Sequence, residues 1–474
     1  MNNKNRSSLD DHQKKGKKLI PPLKQISNLD FTSWHNRLPE YLYAALLTAN
    51  LSQEEYLIKF RLMVEHFAYV EEDLRPEDLS LTSLSKCDKS FLSNALHTLF
   101  DDKEIKSILK PLLLFEELPA YSIWKDIIGS EASEEDWNIL KIAIGKTLYH
   151  NSQASTDIRW LCVVYKMACG NIRINEDLID IMNNVWDYPY EGDLKEVRPT
   201  IRVLEGSLAY WAENSAKWVT KFWEECLFRT TPEVLVRKRN SHYKIDEELS
   251  KRFKTIWNKL FQRFYDTLET SDADAKHDAS FGLVMYSLRI ITECVNRNTG
   301  NYLIGRILLR SLVENYITFA YLVKKDKIEL WESYRRYGAG QAKLVSLKAE
   351  KYESDPSFIS FDDVNEIANE DMREEFVDID LGHWAGVDLR KMSEYSDTKK
   401  TYDKYYDWTS GYSHGNWAAV RDSIYTTDFN PLHKLMRVPS PKLDFNDIIG
   451  DMMEIMNLQL SLLSELYELE DLTI

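Results

Sequence analysis

Two arginines and a glutamate recur at four-residue spacing in an otherwise apolar stretch, Asn301–Val323. On a helix, Arg306, Arg310 and Glu314 would form one stripe, because residues four apart share a face. Guanidinium groups beside a carboxylate can hold a phosphate and position a base through charge-assisted hydrogen bonds. The alternative is that the stripe is only the solvated side of a helix whose leucine-rich arc faces a core.

A second polar row is expected in Tyr402–Trp417, where two aspartates, Ser410 and His414 would share one helix face. A Ser–His–Asp triad is not expected from such a row, because a nucleophile and its base converge from different elements. His414 is the candidate general acid or base, since an imidazole titrates near neutrality. The alternative is that His414 only ends a helix before Gly415, where a cation suits the dipole and glycine suits a left-handed cap.

Residues from about 280 to 420 resemble a family of uncharacterised bacterial helical proteins, some of which are encoded near antiviral defence genes. The resemblance rests on Arg310-Ser-Leu-Val-Glu314, on Tyr405 to Ser410, and on Ser413-His414. That family distantly resembles the HEPN helical domains, many of which are metal-independent ribonucleases that work as dimers. Their signature places an arginine shortly before a histidine on one helix. Here Ser410 stands four residues before His414, so the arginine must come from another helix, with Arg310 the first candidate.

The resemblance implies a prokaryotic defence or stress protein whose C-terminal domain is a metal-independent endoribonuclease or binds nucleic acid. His414 would act as acid or base, and Arg310 and Arg306 would stabilise the charge on the phosphorane. Glu314 would orient Arg310 or His414. Ser410 would contact the substrate. The implied partners are RNA or another nucleic acid, a protein of a defence system, and a second copy in a homodimer. No cofactor and no metal are expected.

Two other functions fit the same residues. A non-catalytic scaffold would use helical surfaces to bind another protein, and would leave Arg310, Glu314 and His414 on separate solvent faces. A receptor for a small molecule or nucleotide would have an enclosed pocket lined by Trp and Tyr residues. Convergence of the three side chains in one cleft is the geometric feature that favours the site over the scaffold.

Charge argues for and against a nucleic-acid partner. The net charge of the 474-residue chain is −16, which repels nucleic acid and anionic membranes at long range. Binding would therefore need a local basic patch. One such stretch begins at Arg229, includes Arg237, Lys238 and Arg239, and continues to Arg263, and it predicts contacts to phosphates. The alternatives are that it covers an acidic surface of a partner or is an ordinary solvated face.

An all-α fold is predicted from the scarcity of residues that break helices. The chain has 16 glycines and 13 prolines, and no proline lies between Glu233 and Asp355. Three parts are expected. Residues 1–26 form a disordered basic arm, residues 27–232 an irregular multi-helix N-terminal domain, and residues 233–474 a C-terminal helical bundle with HEPN-like character.

Several common classes lack their motifs in this sequence. There is no GxxxxGK[ST] loop, no HExxH, no paired CxxC and no GxSxG, which disfavours the usual ATPases, zinc enzymes and α/β-hydrolases. The five cysteines are odd in number, as is typical of a reducing compartment. No segment reads as a signal peptide or a membrane span, so a cytoplasmic location without membrane contact is expected.

Overall fold

The computed structural model describes residues 9–20, 33–172, 178–208, 216–234, 247–271, 273–349, 358–370, 372–440, 445–469 and 472–474. These residues are chiefly helical, and the strands among them form only two small two-stranded sheets. The predicted all-α class is therefore confirmed. No described helix combines the length and the apolar composition that crossing a bilayer requires.

The chain divides into two compact units. The N-terminal unit comprises Met1–Leu235 and Thr427–Arg437, and the C-terminal unit comprises Val236–Thr426 and Val438–Ile474. The division at Leu235 lies three residues beyond the end of the predicted N-terminal domain at residue 232. The return of Thr427–Arg437 to the N-terminal unit differs from the predicted domains, because sequence order alone assigns this segment to the second domain.

Within residues 1–26, which were expected to be disordered, residues 9–20 form a short hairpin. Strand β1 (Gln13–Lys15) pairs antiparallel with β2 (Lys18–Ile20), and Lys15 lies opposite Lys18. Gly16 turns the chain with a φ of 59°, a conformation that glycine adopts without a Cβ clash. The remainder of the predicted arm lies outside the described residues.

The N-terminal unit is an irregular assembly of short and medium helices. Its α-helices are α1 (Trp34–Arg37), α2 (Leu42–Asn50), α3 (Gln53–Ala68), α4 (Leu81–Leu84), α5 (Lys89–Phe100), α6 (Lys103–Leu109), α7 (Tyr121–Ile128), α8 (Asp136–Thr147), α9 (Gln153–Ala168), α10 (Ile179–Trp186), α11 (Leu194–Leu208) and α12 (Ala216–Arg229). Short 3₁₀ turns lie at Leu38–Tyr41, Glu72–Leu74, Lys110–Leu114 and Pro431–His433.

Helix α9 is the centre of the N-terminal unit. Its run from Ile158 to Tyr165 is buried on every side, including Trp160, and it packs against α2, α3 and α11. A helix that is apolar around most of its circumference must lie inside, because no face of it suits water. Local signals set the helix starts: at α3, Ser52 and Glu55 form a complete capping box.

The C-terminal unit is built from longer helices. Its elements are α13 (Glu247–Asp266), α14 (Ala275–Asn296), α15 (Leu303–Lys325), α16 (Ile328–Ala349), α17 (Phe361–Ala368), a 3₁₀ turn (Glu374–Phe376), α18 (Leu389–Tyr395), α19 (Lys399–Thr401), a π turn (Tyr402–Tyr406), α20 (Asp407–Ser413), α21 (Trp417–Ile424) and α22 (Ile449–Leu466). Strand β3 (Tyr425–Thr427) pairs with β4 (Arg437–Pro439) in the second small sheet.

Helix α15 is the axis of this unit and carries the predicted polar stripe. It packs against α14 and α22 on its apolar side, where Leu312 and Ile317 are fully buried. It also packs against α18, the π turn and α20. The polar stripe of α15 therefore meets the segment that carries His414, although about a hundred residues separate the two in sequence.

The π turn changes the faces predicted for Tyr402–Trp417. Helices α19 and α20 and the π turn between them form one continuous helical stretch, and the wider turn holds one extra residue. That residue shifts the helical phase of everything after it by about 100°, since an α-helix turns by that angle per residue. The single row expected to run from Asp403 to His414 is therefore interrupted.

Candidate functional site

The predicted residues Arg310, Glu314 and His414 come together in the C-terminal unit. The Nε and Nη2 atoms of Arg310 donate to Oε1 of Glu314 at 3.1 and 2.9 Å. The Nη1 atom of Arg310 lies 3.2 Å from Nε2 of His414. Tyr406 joins them, because its hydroxyl accepts from Nη2 of Arg310 at 3.2 Å. We call these four residues the Arg310 cluster.

Arg310 is the fixed member of the cluster. Its side chain is only 15% exposed, and its guanidinium carbon lies 5.2 Å from the ring centre of Tyr406, within the range of a cation–π contact. Burial acts to lower the pKa of Arg310, but the Glu314 carboxylate and the Tyr406 hydroxyl outweigh it, so the pKa is raised. The cluster therefore holds a permanent positive charge in a defined orientation.

His414 is the exposed member. It is the C-cap of α20, and Gly415 follows it with a φ of 62°. The N–H of Asn416 donates to the carbonyl of Gly411 at 2.9 Å, which completes a Schellman cap. Helix α20 therefore ends at His414, as expected from the sequence, and His414 also approaches Arg310. The cap determines where the imidazole lies.

The contact between Arg310 and His414 has a defined direction. A guanidinium only donates, so a hydrogen bond at this distance requires Nε2 of His414 to accept. An imidazole that accepts at Nε2 presents a lone pair next to a cation. The lone pair on Nε2 can take a proton from a hydroxyl of a substrate while the guanidinium binds an anion.

Tyr406 and Tyr402 were not among the predicted site residues. Their rings stack with centres 4.7 Å apart and an interplanar angle of 23°. The pKa of Tyr402 is raised, first by burial and then by the Asp407 carboxylate and by Tyr406. Tyr406 contributes directly to the cluster, and Tyr402 supports its ring. Their four-residue spacing was a signal, but nothing in the sequence shows that this face turns toward Arg310.

Arg306 lies apart from the cluster, contrary to the predicted stripe. Its residue surface is 7% exposed, and its Nη1 atom donates to the carbonyl of Gly300 at 2.9 Å. A second donor reaches the carbonyl of Asn446, and the guanidinium carbon lies 4.4 Å from the ring centre of Phe445. Arg306 therefore binds backbone within the unit, because it lies in the first turn of α15 beside the chain leading into α22.

The other predicted contact residues have different outcomes. Ser410 is half-buried in α20, and its carbonyl accepts from the N–H of His414 at 3.3 Å. Arg237, Lys238 and Arg239 lie outside the described residues.

A second polar cluster in the N-terminal unit has the connectivity of a hydrolase triad. Nε2 of His433 lies 2.9 Å from Oγ1 of Thr230, and Nδ1 of His433 hydrogen-bonds to the Asp428 carboxylate. Burial acts to raise the pKa of Asp428, but backbone N–H groups of Glu233 and Asn430 and the imidazole of His433 hold it lowered. We call Thr230, Asp428 and His433 the His433 staple.

The His433 staple is structural. The side chains of His433 and Asp428 have no exposed surface, so a substrate cannot reach them. Thr230 donates its hydroxyl hydrogen to the carbonyl of Cys226 at 2.7 Å, which leaves no hydroxyl proton for a base to take. The staple explains why Thr427–Arg437 belongs to the N-terminal unit, since these bonds tie the segment to the end of α12.

Two surface hollows bear on the receptor alternative. One in the C-terminal unit has a volume of about 440 Å³ and includes Tyr337 and Phe376. Another in the N-terminal unit has a volume of about 540 Å³ and includes Trp223 and His35. Each contains a single Trp or Tyr rather than the many that were predicted, and the receptor function stays a prediction.

Comparison with known proteins gives one match. The model of a family of unknown function (DUF5677) matches residues 292–431, which is a minority of the chain. The matched region contains all four residues of the Arg310 cluster. No curated protein and no solved structure matches the chain. The match supports an uncharacterised domain in this region, in agreement with the resemblance to an uncharacterised helical family.

Proposed function

We propose that the Arg310 cluster cleaves RNA phosphodiesters without a metal ion. The observation that supports this most is the 3.2 Å approach of Arg310 Nη1 to His414 Nε2, because it pairs an exposed imidazole with a partly buried, fixed cation. These two groups come from different helices and lie within hydrogen-bond reach of each other, as a base beside an anion-binding group should.

In the proposed reaction, a phosphate oxygen replaces His414 as the acceptor of the hydrogen bond that Nη1 of Arg310 donates. This leaves the lone pair of Nε2 free. The ribose 2′-hydroxyl then attacks the adjacent phosphorus and gives its proton to Nε2 of His414. The bond between the 2′-oxygen and phosphorus forms, and the bond from phosphorus to the 5′-oxygen breaks. One product is a 2′,3′-cyclic phosphate. The other is the strand that leaves with the 5′-oxygen, which becomes a 5′-hydroxyl when it receives a proton.

Arg310 would stabilise the negative charge that develops on the phosphorane oxygens. Glu314 and Tyr406 act through Arg310 and are positioning residues. Their hydrogen bonds occupy Nε and Nη2 of Arg310 and leave Nη1 directed at His414. A guanidinium held in this way needs no rearrangement when the charge appears.

A homodimer would complete the chemistry. In-line displacement puts the entering 2′-oxygen and the leaving 5′-oxygen on opposite sides of phosphorus, so one imidazole reaches only one of them. A second copy could supply the group that protonates the leaving oxygen. This is the role that the homodimer expected from the HEPN resemblance would have.

The test is cleavage of an end-labelled single-stranded RNA by the full chain in the presence of EDTA. We expect His414→Asn and Arg310→Lys to reduce the rate at least about a hundredfold, the usual contribution of a positioned acid–base group. The products should carry a 2′,3′-cyclic phosphate, and an all-2′-deoxy strand should not be cleaved.

Matched control variants exist within the same unit. His383→Asn changes another exposed histidine, and Arg289→Lys changes an arginine whose Nε donates to Glu293 four residues later at 3.0 Å. Both controls should cleave at the parent rate. Equal activity of His414→Asn and the parent, or cleavage of the 2′-deoxy strand, would rule out the proposed mechanism. No cleavage by the parent would favour the scaffold.

The setting we propose is a prokaryotic defence or stress response in the cytoplasm, as the family resemblance implies. Bacteria that express the parent should resist phage or grow slowly, and His414→Asn should abolish the effect while His383→Asn should not. Protection that is retained by His414→Asn would show that the response does not depend on the Arg310 cluster.

A further inference from the structure

Helix α13 has an aromatic face that the core does not cover. Trp257, Phe261 and Tyr265 follow one another at four-residue spacing and are 38%, 53% and 58% exposed. The core-facing residues of the same helix lie on a neighbouring face: Leu249, Phe253, Ile256 and Leu260. Three large exposed rings in one row exceed the scattered apolar side chains that are normal on a surface, and such rows mark binding sites.

The three rings occupy successive turns of the helix. Residues four apart on an α-helix are about 6 Å apart along its axis, so the rings form a ladder. The rings of Phe261 and Tyr265 meet edge to face with centres 5.2 Å apart. Leu268, which is 40% exposed, extends the apolar row beyond the end of the helix.

Exposed cations share this helix with the ladder. Lys254 lies three residues before Trp257 and seven before Phe261, on the ring side, and Lys251 lies one turn before Lys254. Arg252 and Lys259 lie toward the opposite side of the helix. None of the four forms an ion pair with another described residue. Exposed arginines on other helices of this unit do have partners, such as Arg289 with Glu293 four residues away. In a chain with a net charge of −16, four such cations on one helix are a local reversal of sign.

We infer that the exposed aromatic row of α13, with Lys251 and Lys254 beside it, binds single-stranded nucleic acid. Aromatic rings stack on bases whatever the sequence, and cations beside the rings contact the phosphates. A single strand fits because its bases are free to stack on protein rings, whereas a duplex keeps its bases paired inside. The inference stands on α13 alone and does not require the Arg310 cluster to cleave anything.

The charges around the exposed apolar row favour a nucleic acid over two other binding partners, a second copy of the chain and an anionic membrane. A second copy bound face to face would bring Lys251 and Lys254 of both copies into the same interface, because a twofold interface repeats one surface on both sides. An anionic membrane would meet the carboxylates of Asp266 and Glu269, which lie exposed near the last ring of the ladder. A flexible polyanion can follow the cations and avoid these two groups.

The experiment is fluorescence anisotropy of the full chain with a labelled 2′-O-methyl oligouridylate, which cannot be cleaved through a 2′-hydroxyl. We expect Phe261→Ala and Trp257→Ala each to weaken binding about tenfold, the usual effect of removing one stacking ring. Lys251→Gln with Lys254→Gln should lower the slope of log K against log salt by about 0.7 for each phosphate that the variant no longer neutralises. The duplex form should bind more weakly than the single strand.

Controls test whether any aromatic or cation would give the same effect. Phe228→Ala removes a ring that is 80% exposed in the N-terminal unit, and Lys327→Gln removes an exposed lysine of the C-terminal unit. Both should bind like the parent. Binding that is lost in Phe261→Ala and Trp257→Ala but only weakened in Arg310→Ala and His414→Ala would separate this surface from the proposed cleavage site.

Four results would overturn the inference. The first is an affinity for the oligonucleotide that does not change in Phe261→Ala and Trp257→Ala. The second is binding to phosphatidylserine vesicles, rather than to the oligonucleotide, that these variants abolish. The third is a parent dimer that sedimentation shows to dissociate in these variants. Loss of binding only in Arg310→Ala and His414→Ala would also overturn it, while the proposed function would survive.

Discussion

His433 and His414 both engage a polar side chain through Nε2, but their surroundings differ. In the N-terminal unit, His433 is completely buried between Asp428 and Thr230. In the C-terminal unit, His414 is exposed and approaches a guanidinium that remains charged. Burial makes the first arrangement a structural link and leaves the second open to a ligand. The connectivity of side chains alone would have favoured the His433 staple as a catalytic site, because it has the order of a catalytic triad. Its burial excludes a substrate.

The largest effect should come from breaking the buried arrangement. His433→Ala leaves the Asp428 carboxylate buried without its imidazole, so we expect the free energy of unfolding to fall by about 3 to 5 kcal/mol. Urea unfolding followed by circular dichroism would measure it. His414→Ala, on an exposed side chain, should change stability by less than about 0.5 kcal/mol. Equal decreases in the two variants would contradict the contrast between a buried link and an open site.

Glu40 is a second buried ionisable group of the N-terminal unit, and its burial should make the free energy of unfolding depend on pH. It is 3% exposed and accepts from the N–H and the hydroxyl of Thr82 at 2.9 and 2.8 Å. Burial raises its pKa to about 7, against the opposing effect of the Thr82 bonds. Below pH 4.5, its ordinary value, the carboxyl is protonated both folded and unfolded, so Glu40 has no effect on stability there.

Between pH 4.5 and about 7 the unfolded chain loses the Glu40 proton while the folded chain keeps it, so stability falls as pH rises. Above pH 7 the decrease should reach about 3 kcal/mol. Glu40→Gln keeps hydrogen bonding to Thr82 without a charge, so its unfolding free energy should vary less over this range. Urea titrations from pH 5 to pH 9 would measure the difference, and parallel pH profiles for the parent and the variant would contradict it.

The smallest effect should come from removing a single hydroxyl group from the Arg310 cluster. Tyr406→Phe keeps the ring over Arg310 and removes one hydrogen bond, which costs about 1 kcal/mol. We expect the rate of RNA cleavage to fall about fivefold with stability unchanged, since Tyr406 acts only through Arg310. Single-turnover rates would show it, and Tyr425→Phe in the same unit is the control. A decrease as large as that of His414→Asn would mean that Tyr406 itself touches the reacting atoms.

Local spacing alone was enough for several features. Few glycines and prolines predicted an all-α chain, because long helices need an unbroken run of residues that tolerate helical angles. The four-residue spacing of Arg310 and Glu314 predicted their ion pair, and Gly415 predicted the helix end at His414. These features depend on neighbours within about one helical turn, and the backbone brings such neighbours together whatever the rest of the fold does.

Tertiary packing decided the rest. Arg310 meets His414 only because α15 packs against α20, and the π turn before α20 sets the phase that brings Tyr406 to the same guanidinium. Arg306 has the same spacing in the sequence but turns to Gly300 and Asn446, because at its end of α15 buried carbonyls need a donor. The return of Thr427–Arg437 to the N-terminal unit depends on a buried imidazole and carboxylate. Residue types and spacing identify which groups can do chemistry, whereas long-range packing decides which of them water and substrate can reach.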